Sequence, residues 1–398
     1  MPVIHLVFVT IMTQITAQIN YIGVNDHDLD LFESQYRIPE GISYNSYLIL
    51  DQKVAIMDTV DAGKKDEWLQ HLESGLQGRQ PDYLVVHHVE PDHAGAIALL
   101  LEHYPQIQVV ASTKALQMLP QFFEGLDLAG RSLAVKEGDT LSLGGHTLQF
   151  FAAPMVHWPE VMVSYEQQEK ILFSADAFGK FGALDIEDDD WACEGRRYYF
   201  NICGKYGAQV QMLLKKLGGL DIQAICPLHG PVLNEDLPYY LGLYQTWSSY
   251  GVETEGVFIA YASIHGGTAA VAEKLAEMLR SRGVPKVSLS DLSRDDQAEA
   301  VEDAFRMDRM VLAASSYDAG VFPPMQEFLH HLQAKNYQRR KVGIVENGSW
   351  APSAGRVMKE ALQAMKEIEI IEPTVTIRSR MKKSDLPALE ALADALSK

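Results

Sequence analysis

The rhythm of apolar and polar positions changes once along this chain, near residue 250. Before that point short apolar runs alternate with turns. Tyr83-Leu84-Val85-Val86 predicts a strand, and so do Ile107 to Ala111, His146 to Phe151, Val161 to Tyr165, Ile171 to Phe173 and Ile222 to Cys226. Ala94 to Glu102 and Thr113 to Phe123 have helical spacing, so the region from Tyr21 to Pro231 predicts a β-rich fold with two or three helices. Thr246 to Gly256 is polar, contains two glycines and predicts a linker. Beyond it strand and helix alternate strictly. Val257 to Tyr261 is followed by a helical stretch from Thr268 to Arg282, and Met310 to Ser315 and Lys341 to Val345 are later strands, each leading into a helix. Roughly five such units predict a doubly wound parallel sheet.

Length and composition agree with that division. A chain of 398 residues exceeds one ordinary core, and the change of rhythm divides it into domains 1–250 and 251–398. With 47% hydrophobic and 22% charged residues it has the balance of a soluble globular protein. The net charge of −19 leaves no surplus of Lys and Arg to displace phosphate counterions, which argues against a nucleic-acid partner. Cys193, Cys203 and Cys226 are odd in number and lack a C-x-x-C pair, so the expectation is a reducing cytoplasm and no disulfide framework. The apolar stretch Val3 to Met12 is too short to cross a bilayer and lacks a basic leader, so neither membrane anchoring nor export is expected. Met1 and Met12 are alternative starts.

Residues 88–93 read His-Val-Glu-Pro-Asp-His. In extended chain, alternate residues share a side, so His88, Glu90 and Asp92 can face one centre while His87 points away. Pro91 bars helix interior here, and His93 falls where a helix would begin. His157, Asp176 and His229 stand at the ends of later strands, where loops bring distant segments together. Three carboxylates set against two ferrous ions leave a single positive charge, which one hydroxide would neutralise. Mixed nitrogen and oxygen donors of this kind favour iron, a metal able to change oxidation state.

A second constellation lies in the later half. Residues 261–268, Tyr-Ala-Ser-Ile-His-Gly-Gly-Thr, run from a strand end into a helix. Amides at such a helix start point at an anion; Gly266 and Gly267 allow close approach, and Ser263 and Thr268 add hydroxyls. No Lys follows the glycines, which excludes the ATP-binding P-loop. Ser315-Ser316-Tyr317-Asp318-Ala319-Gly320 and Asn347-Gly348-Ser349-Trp350 follow the next strands, on the same edge of a doubly wound sheet.

The pattern His-x-Glu-x-Asp-His, a distant His, an Asp after eighteen further residues and a distal His resembles the flavodiiron proteins, also called A-type flavoproteins or rubredoxin:oxygen oxidoreductases. Hydrolases of the metallo-β-lactamase fold carry His where this chain has Glu90, and hold two zinc ions. The resemblance also rests on Gly23-Val24-Asn25-Asp26, Ser43-Tyr44-Asn45-Ser46-Tyr47 and Arg197-Tyr198-Tyr199, and covers nearly the whole chain. It implies an α/β protein: an N-terminal metallo-β-lactamase-like αββα sandwich and a C-terminal flavodoxin-like doubly wound sheet. It implies two non-haem irons, one held by His88, Glu90 and His157, the other by Asp92, His93 and His229, with Asp176 bridging. In some members the counterpart of His93 stays unbound. A loop shortened around Asp188 to Glu194 is also implied.

For the later half it implies FMN, its phosphate held by Ser263, Ile264, His265, Gly266, Gly267 and Thr268. The loops Ser315 to Gly320 and Asn347 to Trp350 would reach the ring, with Trp350 stacked on it. His265 stands where an aromatic such as Trp is frequent. Tyr198 or Tyr199 would place a hydroxyl beside substrate, or else pack in a core. A His found near the site in many members is replaced by Glu33 in Phe32-Glu33-Ser34. The implied activity is reduction of dioxygen to water, of nitric oxide to nitrous oxide, or both, with electrons from a separate donor such as rubredoxin. The implied assembly is a head-to-tail homodimer or a dimer of dimers. Two other readings are a dizinc hydrolase with an appended flavodoxin domain, against which Glu90 speaks, and an electron carrier with a vestigial metal domain.

Overall fold

The structure is a computed structural model that describes residues 14–186 and 190–398. The stretch Val3 to Met12, the alternative starts and Asp188 lie outside those residues. The described chain forms two compact units. The first runs to Gly195 and includes Gln209–Leu241; the second comprises Arg196–Ala208 and Gly242–Lys398.

In the first unit a six-stranded sheet and a five-stranded sheet share one core. Tyr47, Ile49, Ala55, Met57, Val85 and Val110 come from the first sheet; Leu148, Phe150, Met162, Ile171, Phe173 and Cys226 come from the second. Burying each of the larger apolar side chains contributes about 1.5–3 kcal/mol, so the seam between the sheets is the main source of stability for this unit. Tyr83–Val86 pairs in parallel with strands on both sides, and its unbroken apolar run suits a strand covered on both faces.

Six α-helices lie between Tyr21 and Pro231 among the described residues, more than the two or three expected. Lys65–Leu76, Trp191–Ile202 and Gly207–Leu217 were not anticipated. The helix expected over 94–102 is two, Pro91–Ala94 and Ile97–His103. The break falls at Gly95, where a Cβ would meet the Ala62 backbone nitrogen at 2.4 Å. Close backbone approach, invisible to periodicity, divides the helix.

The second unit is a parallel sheet in which, counting from Thr254–Ala262, the strands lie in the order 2-1-3-4-5. This is the doubly wound order whose switch point lies beside the first strand. Gly267–Ser281 presents Val271, Ala272, Leu275, Ala276 and Leu279 to the sheet at helical spacing, all buried. Asp296 caps Gln297–Arg306 by accepting from the Ala298 amide at 2.8 Å. The linker expected over 246–256 is mostly ordered: a helix, Leu237–Ser248, runs into it and a strand begins at Thr254. Thr246 and Ser248, which made the stretch look polar, bond back to the carbonyls of Gly242 and Tyr244 within the helix. No helix of the described residues is long and apolar enough to cross a membrane.

Candidate metal centre and flavin pocket

Seven side chains proposed from sequence converge at one edge of the first unit, in two groups: His88, Glu90, His157 and Asp176, and Asp92, His93 and His229. The turn of Pro91–Ala94 sends Glu90 toward one group and Asp92 and His93 toward the other. The remaining segments turn sharply at their ligands. Met155 lies two positions before His157 at φ 65°, Ala175 directly precedes Asp176 at φ 51°, and Gly230 directly follows His229 at φ 79°. Non-glycine residues held there cost about 1–3 kcal/mol each, strain that collects where a fold aims functional side chains.

Asp176 joins the groups. Its Oδ2 lies 3.1 Å from His157 Nε2 and 3.5 Å from His88 Nε2, while its Oδ1 lies 3.0 Å from His93 Nε2. Glu90 Oε2 is 3.0 Å from His157 Nε2 and 3.1 Å from His88 Nε2; Asp92 Oδ2 is 3.2 Å from His229 Nε2 and 3.4 Å from His93 Nε2. Two donors each about 2.1 Å from one ion and at right angles stand about 3.0 Å apart, so these spacings suit donors around a shared cation. Both oxygens of Asp92, both ring nitrogens of His93 and Oδ1 of Asp176 are buried with no hydrogen-bond partner. Buried polar atoms are normally satisfied, and a pair of metal ions would satisfy these. The donors therefore fit a dinuclear centre.

The electrostatics agree. Burial opposes charge on His88, but Asp176, Glu160 and Glu90 outweigh it and hold the imidazole well above its ordinary pKa. Burial likewise opposes charge on His157, and Asp176 and Glu90 lift it to about 9. Glu90 drops to about 2, because hydrogen bonds from His157 and His88 overcome burial. Without ions, protons supply the positive charge this anionic cage demands, and binding of metal would expel them.

Surrounding residues fix the ligands. His229 Nδ1 donates to the Ser43 carbonyl at 2.7 Å, which leaves Nε2 to face Asp92. Asn45 Nδ2 donates to the carbonyls of Pro227 and Gly230 at 2.8 and 2.7 Å, and the Tyr47 hydroxyl donates to Pro227 at 2.6 Å. The Ser43–Tyr47 stretch thus clamps the His229 loop. Phe32 meets the His229 ring edge-on, centroids 5.3 Å apart. His87 is turned away as expected: Nδ1 pairs with Asp58 at 2.6 Å and Nε2 with Ser164 at 2.8 Å. Asp58 and Glu160, which pairs with His88 Nδ1 at 2.7 Å, were missed. Glu160 lies three residues after His157, but nothing in one sequence distinguishes that spacing from chance.

Tyr198 and Tyr199 belong to the second unit and are fully buried there. Tyr199 packs against Tyr244, Trp247 and Phe200 at centroid distances of 5.2, 5.5 and 5.1 Å, and its hydroxyl has no hydrogen-bond partner. That environment matches the packing alternative for Tyr199.

All three proposed flavin loops line one cavity of about 680 Å³ in the second unit. Ile264, His265, Gly267, Thr268, Ser315, Ser316, Tyr317, Asp318, Ala319, Asn347, Gly348, Ser349 and Trp350 face it; Ser263, Gly266 and Gly320 do not line it. Gly266 sits before the helix at φ 79°. A Cβ on Gly267 would meet the Ser379 carbonyl at 2.4 Å, so only glycine fits that crossing. Thr268 and Ser315 hydroxyls pair at 2.9 Å, and the Ser263 hydroxyl is buried with no hydrogen-bond partner; the free amides at the start of the helix favour an anion. Sequence reasoning missed Ser379 and Arg380, which close the cavity: Asn347 and Ser379 exchange two hydrogen bonds of 3.0 Å. Trp350 is 88% exposed at the rim, a large apolar face open to a planar ring. Phosphate cradle, hydroxyls and exposed indole together fit FMN.

Comparisons with known proteins agree with both sites. The model described as ODP family beta lactamase matches residues 42–230, and a flavodoxin-domain model matches 258–371. The chain is 30% identical to diflavin flavoprotein A 2 of Synechocystis sp. over 96% of its own length, spanning 66% of that longer protein. It is also 30% identical to a nitric oxide reductase of Moorella thermoacetica, over 94% of each chain. The solved rubredoxin:oxygen oxidoreductase of Desulfovibrio gigas superposes with a TM-score of 0.90 at 26% identity, covering 97% of this chain and 98% of that one. The metallo-β-lactamase-like and flavodoxin-like folds are therefore both present. Identity at this level, sustained from end to end across two unrelated folds joined in the same order, makes the chain a member of the flavodiiron protein family.

Proposed function

We propose that this chain is an oxidoreductase that reduces dioxygen to water, nitric oxide to nitrous oxide, or both, at a non-haem diiron centre supplied with electrons through FMN. The observation that carries this reading is Asp176, whose two oxygens belong to different donor groups. Irons and fully reduced FMN together hold four electrons, enough to take dioxygen to two waters, and two of these suffice to couple two nitric oxide molecules.

The protein's own residues set the conditions. His88, His93, His229 and Asp176 are buried, and what exposure the ligands have lies at Glu90, Asp92 and His157. An opening of that kind suits a molecule of two or three atoms. Holding two small substrates within one cage removes the entropy of bringing them together. In the second unit, Gly267 and Thr268 hold the phosphate end, and Trp350 covers the ring.

The Moorella and Desulfovibrio relatives are named for the two different substrates, and nitric oxide and dioxygen call on the same ligands. We extend the reading to a cytoplasmic enzyme that takes electrons from rubredoxin or a similar carrier. We further propose a head-to-tail homodimer or dimer of dimers, with domains 1–250 and 251–398 as its parts, and all seven metal donors, His93 included, as iron ligands. Paired turnover assays on iron- and FMN-quantified protein, one following oxygen and one nitric oxide with reduced rubredoxin, test the activity. Colourless protein containing zinc would instead favour the hydrolase reading.

Trp350→Ala is expected to weaken FMN binding about 2–10-fold, the worth of one aromatic stacking contact, with iron content unaltered. Fluorescence titration of flavin-free protein with FMN measures it. An unchanged dissociation constant would remove Trp350 from the flavin site.

A further inference from the structure

We infer that the buried carboxylate of Glu160 makes the two metal positions electronically unequal, lowering the reduction potential of the ion held by His88, Glu90 and His157 relative to its neighbour. The inference rests on the diiron reading and concerns what stands behind the ligands.

The Glu160 side chain is fully buried. Its Oε1 accepts from His88 Nδ1 at 2.7 Å and from the Val89 amide at 3.1 Å, and its Oε2 has no hydrogen-bond partner. The Glu160 carbonyl accepts from Ser112 Oγ at 2.9 Å, which anchors the segment between two strands. A proton held on Nδ1 would leave Nε2, 3.1 Å from Glu90 Oε2, free to hold a metal ion. An anionic acceptor pulls that proton toward itself and makes the imidazole a stronger electron donor.

Among the described residues, the hydrogen-bond partners differ at the other position. His229 Nδ1 donates to a neutral carbonyl, that of Ser43, and His93 Nδ1 has no hydrogen-bond partner. Each group has one carboxylate of its own, Glu90 or Asp92, and shares Asp176. Glu160 is the carboxylate that bonds directly to a ligand's outward ring nitrogen. A more electron-rich donor set would favour the ferric form of an ion held by His88, Glu90 and His157. Glu160 is a positioning residue, acting through His88.

Redox titration of the iron-loaded, FMN-containing enzyme with dithionite, followed by EPR of the half-reduced iron pair, tests this. Two separated one-electron steps are expected in the wild type. Glu160→Gln keeps an oxygen acceptor for Nδ1–H and removes the charge. With two irons retained, its lower potential should shift upward and the window of the half-reduced signal should narrow. Glu160→Ala should lower iron affinity about 10–100-fold. If Glu160 were only a clamp on Val89 and Ser112, Glu160→Gln would keep both potentials and the EPR signal unchanged, and the inference would fall. Coincident potentials in the wild type would overturn it without any variant. A wild-type chain that takes up no iron would overturn the diiron reading as well.

Discussion

Replacing Asp176 by alanine is expected to abolish reductase turnover while FMN stays bound. Asp176 is the one ligand that faces both donor groups, with Oδ1 3.0 Å from His93 Nε2 and Oδ2 3.1 Å from His157 Nε2. Its removal takes away the one negative charge that the two groups share. The remaining imidazoles keep the repulsion between two cations but lose the anion that offsets it. No segment lining the flavin cavity includes Asp176 or its neighbours, so the flavin spectrum should persist. Iron analysis, flavin absorbance and oxygen or nitric oxide consumption on one preparation check all three points. Turnover retained in the variant would refute the assignment of the centre.

Arg196→Met should destabilise the second unit by about 3–5 kcal/mol, the loss typical of breaking a buried ion pair from one side. Arg196 binds Glu253 through two hydrogen bonds of 2.8 and 2.7 Å and Glu302 through one of 2.8 Å, and the Trp247 indole donates to Glu253 at 2.6 Å. One guanidinium thus serves two carboxylates. It neutralises Glu253, and burial pushes Glu302 up to about 8 against the opposing pull of Arg196. The sign of the pH dependence follows. Glu302 holds its proton in the folded state at pH values where the unfolded chain has released it. Its contribution is therefore complete below the ordinary carboxylate range and is lost as pH rises through about 8. In Arg196→Met Glu302 loses its cation and Glu253 keeps only Arg306 at 3.8 Å, so stability should fall further as pH rises to and beyond about 8. Urea unfolding at pH 5 and pH 8 measures both effects. A loss below about 1 kcal/mol with an unchanged pH slope would show that the triad is structurally idle.

The convergence of the seven candidate metal donors was legible in the sequence because metal chemistry restricts residue type and a strand–turn–helix restricts spacing. His88, Glu90, Asp92 and His93 occupy a six-residue window in which the alternation and Pro91 give each side chain a direction. The flavin loops were legible because a doubly wound sheet places successive strand ends on one edge. Glu160 and Asp58 were not. Each meets its histidine from a different strand or loop, and a single Glu or Asp is indistinguishable in sequence from one that faces solvent. Ser379 escaped for a related reason: it follows the last strand, and its role depends on exchanging backbone and side-chain bonds with Asn347. Missed helices such as Lys65–Leu76 carry few apolar residues, only Trp68, Leu72 and Leu76 among its large buried side chains, too sparse a stripe to stand out beside β-rich neighbours. The first residues of the expected linker, 246–248, are helical because serine and threonine hydroxyls can be absorbed within a helix.

The metal donors are spread from His88 to His229, and that spread has a consequence for biosynthesis. A nascent chain emerging from the ribosome exposes four of the seven early, then must be extended by well over a hundred residues before the last appears. No fragment made in the interval can complete the cage. The first donor group closes once Asp176 has been made and the second only once His229 has, so ions loaded during synthesis would enter in that order.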